Sequence, residues 1–261
     1  MNKHVGTDGT VGKALDILDT VVAFGRAVRF AEIQEVSPYP KATLYRILQS
    51  LTNQGMLAHD EERMVYVPGL RLVRMARHAW NQSSLGPLAL PFIETLARDV
   101  DETVHLAQME YGRVVFIEKI TPENGFQTMA RPGRRSPAHC TGVGKVMLAF
   151  MDEERRQLAL DNQQYEPFTP ATHSGPQTLL TELETVRQKG VAFDREEHEQ
   201  GIISIAAPIL GSSKRVIGAI SIVTSTFRMS LEDIERFRPA LLRTAAQIGR
   251  EAEVWPYPVA Q

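Results

Sequence analysis

Two groups of polar side chains have types and spacings suited to recognising another molecule. The first group follows Pro40 and forms the polar face of a segment whose other face is apolar; its members are Lys41, Thr43, Tyr45 and Arg46. A lysine can reach a phosphate group, and hydroxyl groups can contact base edges or the DNA backbone. An arginine can donate two hydrogen bonds to guanine, one to O6 and one to N7. These residues are predicted to bind DNA. The alternative is an ordinary solvated helix face, as most charged faces are.

The second group surrounds the sequence Thr141-Gly142-Val143-Gly144, which begins a predicted helix. Free amides at a helix N-terminus bind anions, and glycine lets a ligand approach them closely. A carboxylate is the expected guest, with hydroxyl and carboxyl groups from later segments around it. The predicted ligand-binding residues are Gly142, Val143, Asp194, Ser204 and Ser221. For either glycine alone, tight packing at the helix start explains the sequence equally well.

Other combinations of reactive residues do not complete a recognisable site. Lys145 after the glycines suggests a phosphate loop, but the first glycine of that motif would fall at His139. His139 and Cys140 are neighbours in sequence, and neighbours rarely face each other as base and nucleophile. The acidic residues and the histidine at 196–199 point in different directions, which does not suit a metal ion. We therefore predict no catalytic residue, no metal site and no cofactor.

Short helices followed by a hairpin must carry the first group. Apolar residues recur every three or four positions over 11–22 and again over 30–36, which predicts two amphipathic helices. Two prolines in three residues end the second helix, and a third is predicted to begin at Pro40, whose missing N–H has no partner to lose there. Two short strands follow, joined by a charged turn that contains Arg63, a further predicted DNA contact. These are the parts of a winged helix-turn-helix domain.

The rest of the chain predicts an α+β architecture. A helix runs from Leu70 to about Trp80, and runs rich in β-branched residues at 202–210 and 216–223 are joined by a turn typical of a hairpin. Further helices are predicted at 91–100, 142–151, 179–189 and 231–255. An antiparallel sheet flanked by helices is the simplest assembly. We expect a winged helix-turn-helix domain at 8–68, a linker helix at 69–84 and the sheet domain at 85–256.

Length and composition agree with this division. The 261 residues favour two domains, and 43% hydrophobic with 23% charged residues is typical of a folded globular chain. Residues 1–80 contain 10 Lys and Arg against 8 Asp and Glu, although the whole chain has a formal net charge of −2. No apolar run approaches the about 18 residues that a membrane helix needs. One cysteine excludes an intramolecular disulfide, so we expect a cytoplasmic protein without membrane contact.

The chain resembles the IclR-type bacterial transcriptional regulators over nearly its whole length. The resemblance rests on four stretches: residues 40–55 with Pro40-Lys41-Ala42-Thr43-Leu44-Tyr45-Arg46-Ile47-Leu48, then 102–107, 137–145 and 190–209. It implies an effector-binding domain with a GAF-like fold, assembly into a dimer or tetramer, and operator binding modulated by a small metabolite. Where this family often has a cysteine the chain has Ser204, and Val223 replaces a small polar residue. The identity of the effector therefore does not follow from the resemblance.

Two classes of function remain open from the sequence alone. The favoured one is a sequence-specific DNA-binding regulator, with a repressor preferred to an activator, whose affinity for double-stranded operator DNA changes when a small organic acid binds the C-terminal domain. The alternative is a metabolite-processing enzyme with an accessory helical module. Paired carboxylates or a nucleophile with an adjacent base would favour the enzyme, and the sequence shows neither at a telling spacing.

Overall fold

The computed structural model describes residues 9–128 and 130–254. The chain divides between Gln82 and Ser83 into two compact units. The predicted domain limits at residues 8 and 256 lie outside the described residues, and the division into 8–68, 69–84 and 85–256 stays a prediction.

The first unit contains four helices and a small antiparallel sheet. Its elements are α1 (Gly9–Ala23), β1 (Val28–Arg29), α2 (Phe30–Val36), α3 (Lys41–Asn53), β2 (Leu57–Asp60), β3 (Val65–Pro68) and α4 (Leu70–Ser83). The strand order is β1-β3-β2, with Val28 opposite Tyr66. The four helices and the hairpin of β2 and β3 were predicted. Strand β1 was not predicted, because two residues are too few to show an alternating pattern.

The third helix is positioned by its apolar face and by a defined stop. Leu44, Leu48 and two neighbouring apolar residues are buried against residues of α1 such as Ile17. Pro40 was predicted to be the first residue of this helix, but it is the N-cap, the residue just before it. Its ψ of 147° is extended, and its carbonyl accepts the first helical hydrogen bond, from the amide of Leu44. The helix ends at Asn53, and Gly55 follows two residues later with a φ of +70°, which lets the amide of Met56 bond back to the Leu51 carbonyl in the last turn.

The second unit is a six-stranded antiparallel sheet with helices on both faces. Its elements are α5 (Gly86–Val100), β4 (Thr103–Glu110), β5 (Arg113–Ile120), β6 (Arg135–Pro137), α6 (Gly142–Phe150), α7 (Glu153–Asp161), α8 (Pro176–Lys189), β7 (Ala192–Arg195), β8 (Ile202–Leu210), β9 (Val216–Ser225), α9 (Leu231–Glu235), α10 (Arg238–Glu251) and a short 3₁₀ turn (Ala252–Val254). The strand order is β6-β5-β4-β9-β8-β7. The predicted α+β class and the predicted hairpin of β8 and β9 are confirmed.

Alternation along the strands divides the core into two layers. On one face, α5 and α10 pack on residues such as Ile205 and Ile222. On the other face, α6, α7 and α8 pack on the smaller residues Ala206 and Ala219. Successive side chains of a strand point to opposite faces. The strand residues that alternate with the large apolar ones therefore point toward α6, and a cavity lined by polar side chains lies on that side.

Two predicted helices differ from the structure. The helix predicted to begin at Pro91 begins at Gly86, with Pro91 inside it. Pro87 near the start of α5 provides the favourable early proline instead. The long closing helix is interrupted at Arg236-Phe237 and forms α9 and α10. None of the helices in the described part of the chain combines the length and the apolar character needed to cross a membrane.

A substitution in α10 tests how closely this helix approaches the sheet. Replacing glycine by alanine inside an exposed helix stabilises it by about 1 kcal/mol. At Gly249, however, a Cβ would lie 2.3 Å from the backbone oxygen of Leu210 in β8. We expect Gly249→Ala to lower the free energy of unfolding by roughly 1–3 kcal/mol, because the helix must move away from the strand. Urea denaturation followed by circular dichroism measures this.

The matched control is Ala246→Gly on the exposed side of the same helix. It removes helix propensity without a clash and should cost about 1 kcal/mol. A Gly249→Ala variant as stable as the wild type or more stable contradicts the close approach.

Candidate functional site

The predicted DNA-contacting residues of α3 share its exposed side. Lys41, Tyr45 and Arg46 are exposed, and Thr43 is half-buried. The ring of Tyr45 packs edge-on against Phe30 of α2, with 6.3 Å between the centroids. The cationic groups of Lys41 and Arg46 make no hydrogen bond or ion pair with any residue that the structure describes. The first turns of α3 therefore present two cations without a described partner beside the ring of Tyr45, which packs against Phe30.

Arg63 lies at the tip of the β2–β3 hairpin, with its side chain 82% exposed. The tip has no glycine. Its shape comes from Asp60, whose carboxylate accepts the amides of Glu62 and Arg63, and from Met64 in the left-handed region at φ 53°. The turn of the predicted wing is thus held by hydrogen bonds to an aspartate side chain rather than formed by glycine. Aspartate commonly stabilises turns in this way. Arg63 is presented away from the body of the unit.

A contact that the sequence analysis missed positions α3. The hydroxyl of Tyr39, in the turn before the helix, donates to the carboxylate of Asp16 in α1 at 2.6 Å. This hydrogen bond raises the pKa of Tyr39 to about 12, with smaller contributions from burial and from the charge of Asp16. The bond joins the N-terminal end of α3 to α1. No sequence pattern indicates it, because the partners lie 23 positions apart.

All five predicted ligand-binding residues line one cavity of about 230 Å³ on the α6 side of the sheet. Asp194 on β7 lies opposite Ser204 on β8 in the strand register. Ser221 on β9 lies opposite Ala206 on β8 and opposite His105 on β4. Strand alternation therefore brings side chains from four strands to the same side. The N-terminus of α6 closes the other wall.

The start of α6 leaves two amides available. Thr141 caps the helix, and its hydroxyl oxygen accepts the amide of Gly144 at 3.3 Å while its proton goes to the Pro137 carbonyl. The amides of Gly142 and Val143 have no hydrogen-bond partner among the described residues. Donors at a helix N-terminus with no internal partner attract an anion. The two amides therefore stay available at the cavity wall, and an anion site at this helix start stays a prediction.

The two glycines of this helix differ in what surrounds them. A Cβ at Gly144 would lie 2.4 Å from the backbone oxygen of Ala138, so this glycine is required for packing. A Cβ at Gly142 would lie 2.7 Å from the hydroxyl oxygen of Ser204, a residue that also lines the cavity. Packing therefore accounts for Gly144. Gly142 lies at the contact between the helix start and the cavity wall.

Burial sets the charge state of the cavity. It is the main reason why the pKa of Asp194 is raised to about 7, and the nearby charge of Glu197 raises it further. Burial also lowers the pKa of His105 to about 3, with a smaller effect of Lys119. The pKa of His198 is lowered by burial and then by Arg134. Both imidazoles are therefore neutral near pH 7, so they act as hydrogen-bonding groups rather than as cations.

A buried ion network lies behind the cavity. The side chain of Lys145 is fully buried, and its ammonium group donates to Glu182 at 2.9 Å and to Glu197. Nε2 of His173 lies 2.6 Å from the same Glu182 side chain, whose pKa these contacts lower to about 2 despite its burial. The Glu197 amide donates to Asp194 at 2.8 Å. The network therefore reaches the carboxyl group of Asp194, which lines the cavity.

The same network includes a set of side chains with metal-binding groups. Ligand atoms of His173, Glu182 and Glu197 lie within 4.8 Å of one another. Only Glu197 belongs to the run at 196–199 considered in the sequence. The ammonium group of Lys145 already bonds to both glutamates and neutralises charge there. The arrangement is that of a buried ion pair rather than an open metal site.

Several cavity residues were missed by the sequence analysis. His105, Phe116, Thr128, Phe168 and His198 all line the cavity. His105 bonds to the Thr128 hydroxyl at 3.0 Å, and the rings of Phe168 and His198 lie 5.1 Å apart. Alternation along β4 would have indicated that His105 faces the same side as Ala107. The loop residues carry no comparable signal.

The two units together define a class of protein. The first is a winged helix-turn-helix module with an exposed cationic helix start, and the second is an antiparallel sheet domain with a cavity lined by polar side chains. Such a pairing is typical of ligand-responsive DNA-binding regulators.

Comparison with known families assigns the chain within that class. Residues 77–250 match the model of the bacterial transcriptional regulator IclR C-terminal domain, and residues 10–61 match the IclR helix-turn-helix domain. The chain belongs to the IclR family of DNA-binding transcriptional regulators.

Individual relatives cover almost the whole chain. The HTH-type transcriptional regulator XynR of Escherichia coli (strain K12) is 31% identical over 92% of this chain and 96% of its own length. KdgR of the same organism is 30% identical over 95% of each chain. The crystal structure of Thermotoga maritima IclR superposes with a TM-score of 0.74 and 28% identity, covering 95% of this chain and 100% of that one. XynR and KdgR are both named as HTH-type transcriptional regulators.

One further neighbour was solved with a ligand. The IclR homolog from Microbacterium hydrocarbonoxydans, complexed with 4-hydroxybenzoate, superposes with a TM-score of 0.78 and 23% identity. It covers 93% of this chain and 98% of its own. At this identity the likeness establishes the shared fold.

The raised pKa of Asp194 predicts a dependence of stability on pH. Between about pH 4 and pH 7 the folded state holds a proton on Asp194 that the unfolded state releases, so this residue makes the free energy of unfolding fall as the pH rises. Asp194→Asn removes that contribution and can still accept the Glu197 amide. As the pH rises from about 5 to about 8, we therefore expect the free energy of unfolding of the variant to increase relative to that of the wild type. Urea denaturation at both pH values measures this change.

Glu154→Gln, an isosteric change at an exposed position of α7, serves as the control and should follow the wild type. If the Asp194→Asn and wild-type stabilities change in parallel between the two pH values, the buried carboxyl group does not titrate as described.

Proposed function

We propose that this regulator is a repressor whose affinity for its operator changes when a small organic acid binds in the cavity at the start of α6. The observation that carries the proposal is the convergence of five separately predicted residues on one cavity beside two helix amides that have no partner among the described residues. We further propose that the chain acts as a dimer or tetramer and has no catalytic activity.

The cavity suits a small carboxylate better than a phosphate or a cation. The amides of Gly142 and Val143 supply donors for two oxygens, and the helix dipole supplies a partial positive charge. The imidazoles of His105 and His198 are neutral, and Arg134 is the one Lys or Arg side chain among the described lining residues, so a singly charged anion matches the site better than a doubly charged phosphate group. Ser204 and Ser221 provide hydroxyl groups for the remaining polar atoms of the ligand. The Microbacterium homolog, which was crystallised with 4-hydroxybenzoate, supports this choice.

The exposed side of α3 supports the DNA-binding roles proposed for individual residues. Arg46 has the planar donor group that reads guanine, whereas Lys41 supplies a point charge suited to phosphate. Tyr45 and Thr43 offer hydroxyl groups between them, and Arg63 extends the surface at the wing. A relative named as the DNA-binding transcriptional repressor YiaJ supports repression.

Self-association is supported by α4. Leu70, Val73 and Met75 of this helix are exposed in the single chain, with Leu70 86% exposed. A single winged helix makes few base contacts, and a dimer doubles them by reading two half-sites. We therefore expect two or four chains per operator.

The geometry around Cys140 argues against the alternative of an enzyme. The thiol is buried, and burial raises its pKa, so it stays protonated. Nε2 of His139 lies 3.3 Å from the backbone oxygen of Glu166. The nucleophile and base considered in the sequence are therefore not arranged for nucleophilic catalysis.

Arg46 and Lys41 are expected to contribute differently to operator binding. Arg46→Ala should cost roughly 1–3 kcal/mol on the operator and relax base preference at one position, because it removes a base contact. Lys41→Ala should weaken binding to all sequences about equally and reduce the salt slope by about one unit. Fluorescence anisotropy with DNA from upstream of the gene measures both effects and the number of chains bound. Equal, sequence-independent losses for both variants contradict the assignment.

Ligand binding is expected to depend on the start of α6. Calorimetry against acetate, pyruvate, succinate, benzoate and 4-hydroxybenzoate identifies an acid that binds the wild type. Gly142→Leu should abolish that binding and the operator response, because the side chain fills the space in front of Ser204. Operator binding without the acid should persist. By reciprocity, an acid that weakens operator binding tenfold is itself bound tenfold less tightly by the complex, about 1.4 kcal/mol.

Two further variants separate ligand loss from misfolding. Gly175→Leu introduces the same side chain where nothing lies within 4 Å of a Cβ, and it should bind the acid normally. Ser204→Ala keeps the space and removes one hydroxyl group, so it should weaken binding several-fold. Normal binding and response in Gly142→Leu would place the ligand elsewhere.

A further inference from the structure

A second cavity lies at the opposite end of α6 from the first. Its volume is about 330 Å³, and it is bounded by the last residues of α6, by α7 and by the tips of the β4–β5 and β8–β9 hairpins. Helix α6 is nine residues long, or roughly 13 Å at about 1.5 Å per residue. One rigid helix therefore forms part of the wall of both cavities, with its N-terminus in one and its C-terminus in the other.

The floor of this second cavity is apolar and rich in methionine. Met109, Met147 and Met151 line it together with Phe150 and Leu158. Leu158 is 62% exposed although it is a large apolar residue on α7. Unbranched thioether side chains adapt to irregular apolar shapes. The floor therefore suits a hydrocarbon or aryl group and offers little to a fully polar metabolite.

The rim is cationic. Arg155, Arg187, Lys214 and Arg215 line the cavity, and among its described lining residues the one acidic side chain is Asp152. Asp152 caps α7 and lies 3.7 Å from Arg155, and Arg187 donates to the backbone oxygen of Ala149. The charged groups of Lys214 and Arg215 form no hydrogen bond or ion pair with any residue in the described ranges. These two cations thus stand beside an apolar floor.

We propose that this cavity is a second ligand site that binds an amphipathic monocarboxylate, with its apolar body on the methionine floor and its carboxylate at Lys214 and Arg215. Charge complementarity and the apolar floor together select this class. A nucleotide or an inorganic phosphate satisfies the rim and leaves the floor exposed, whereas a neutral hydrocarbon leaves the two cations unpaired. The proposal is independent of the effector assigned to the first cavity.

The test uses octanoate and the full chain. Calorimetry should show octanoate binding to the wild type, with octan-1-ol and acetate each binding at least tenfold more weakly because each lacks one half of the recognition. The double variant Lys214→Glu/Arg215→Glu should weaken octanoate at least tenfold. A matched double variant, Arg98→Glu/Lys189→Glu, changes the same charge at exposed positions outside the cavity and should bind normally.

Two more variants separate binding in this cavity from binding in the first cavity and from contact between copies of the chain. Octanoate affinity should be retained in Gly142→Leu, so the second site can fail or succeed independently of the first. Leu158→Glu places a carboxylate at the floor and should also weaken octanoate tenfold without altering the sedimentation of the protein. The proposal is overturned by absence of octanoate binding, by affinity that the Lys214→Glu/Arg215→Glu variant does not reduce, or by loss in Gly142→Leu. A change of oligomeric state in Leu158→Glu would also overturn it and would identify the cavity as an interface between copies.

Discussion

The buried ammonium group of Lys145 is the interaction on which the C-terminal unit depends most. A fully buried charge without a partner costs several kcal/mol, so Lys145 requires carboxylates wherever it is placed. Glu182 on α8 and Glu197 after β7 supply them, and these contacts join α6 to two other elements. Because the amide of Glu197 also donates to Asp194, the orientation of this cavity-lining carboxyl group follows from the same ion pair.

This arrangement explains how a buried carboxyl group can line the cavity proposed to bind an anion. Burial and the charge of Glu197 raise the pKa of Asp194 to about 7, so a large share of Asp194 is protonated at neutral pH and can donate to a ligand oxygen. Lys145 keeps its charge away from the cavity because its ammonium group donates to both glutamates. In the proposed site, the attraction for an anion comes from the backbone amides of α6, whose direction is set by the helix itself, together with the charge of Arg134 in the cavity lining.

In the N-terminal unit, by contrast, the charged groups at the start of α3 are exposed and are not used in internal ion pairs. Its hydrophobic cluster holds α3 through Leu44, Leu48 and their neighbours, and the Tyr39 to Asp16 bond joins the start of α3 to α1. The cations at the start of α3 have no partner among the described residues. An exposed surface of this kind has little to contribute to stability and is available for phosphate and bases.

The helix-turn-helix, the wing, the α+β class and the five residues that line one cavity could all be predicted from the amino-acid sequence. These features depend on local rules: apolar periodicity, proline and glycine at helix ends, and the helix start at Gly142. Pairings between distant segments became visible in the folded chain alone. Lys145 with Glu182 and Glu197, Tyr39 with Asp16, and the second cavity at the C-terminus of α6 are examples. Such contacts depend on strand register and helix packing, and no local pattern in the sequence encodes which distant side chains these bring together.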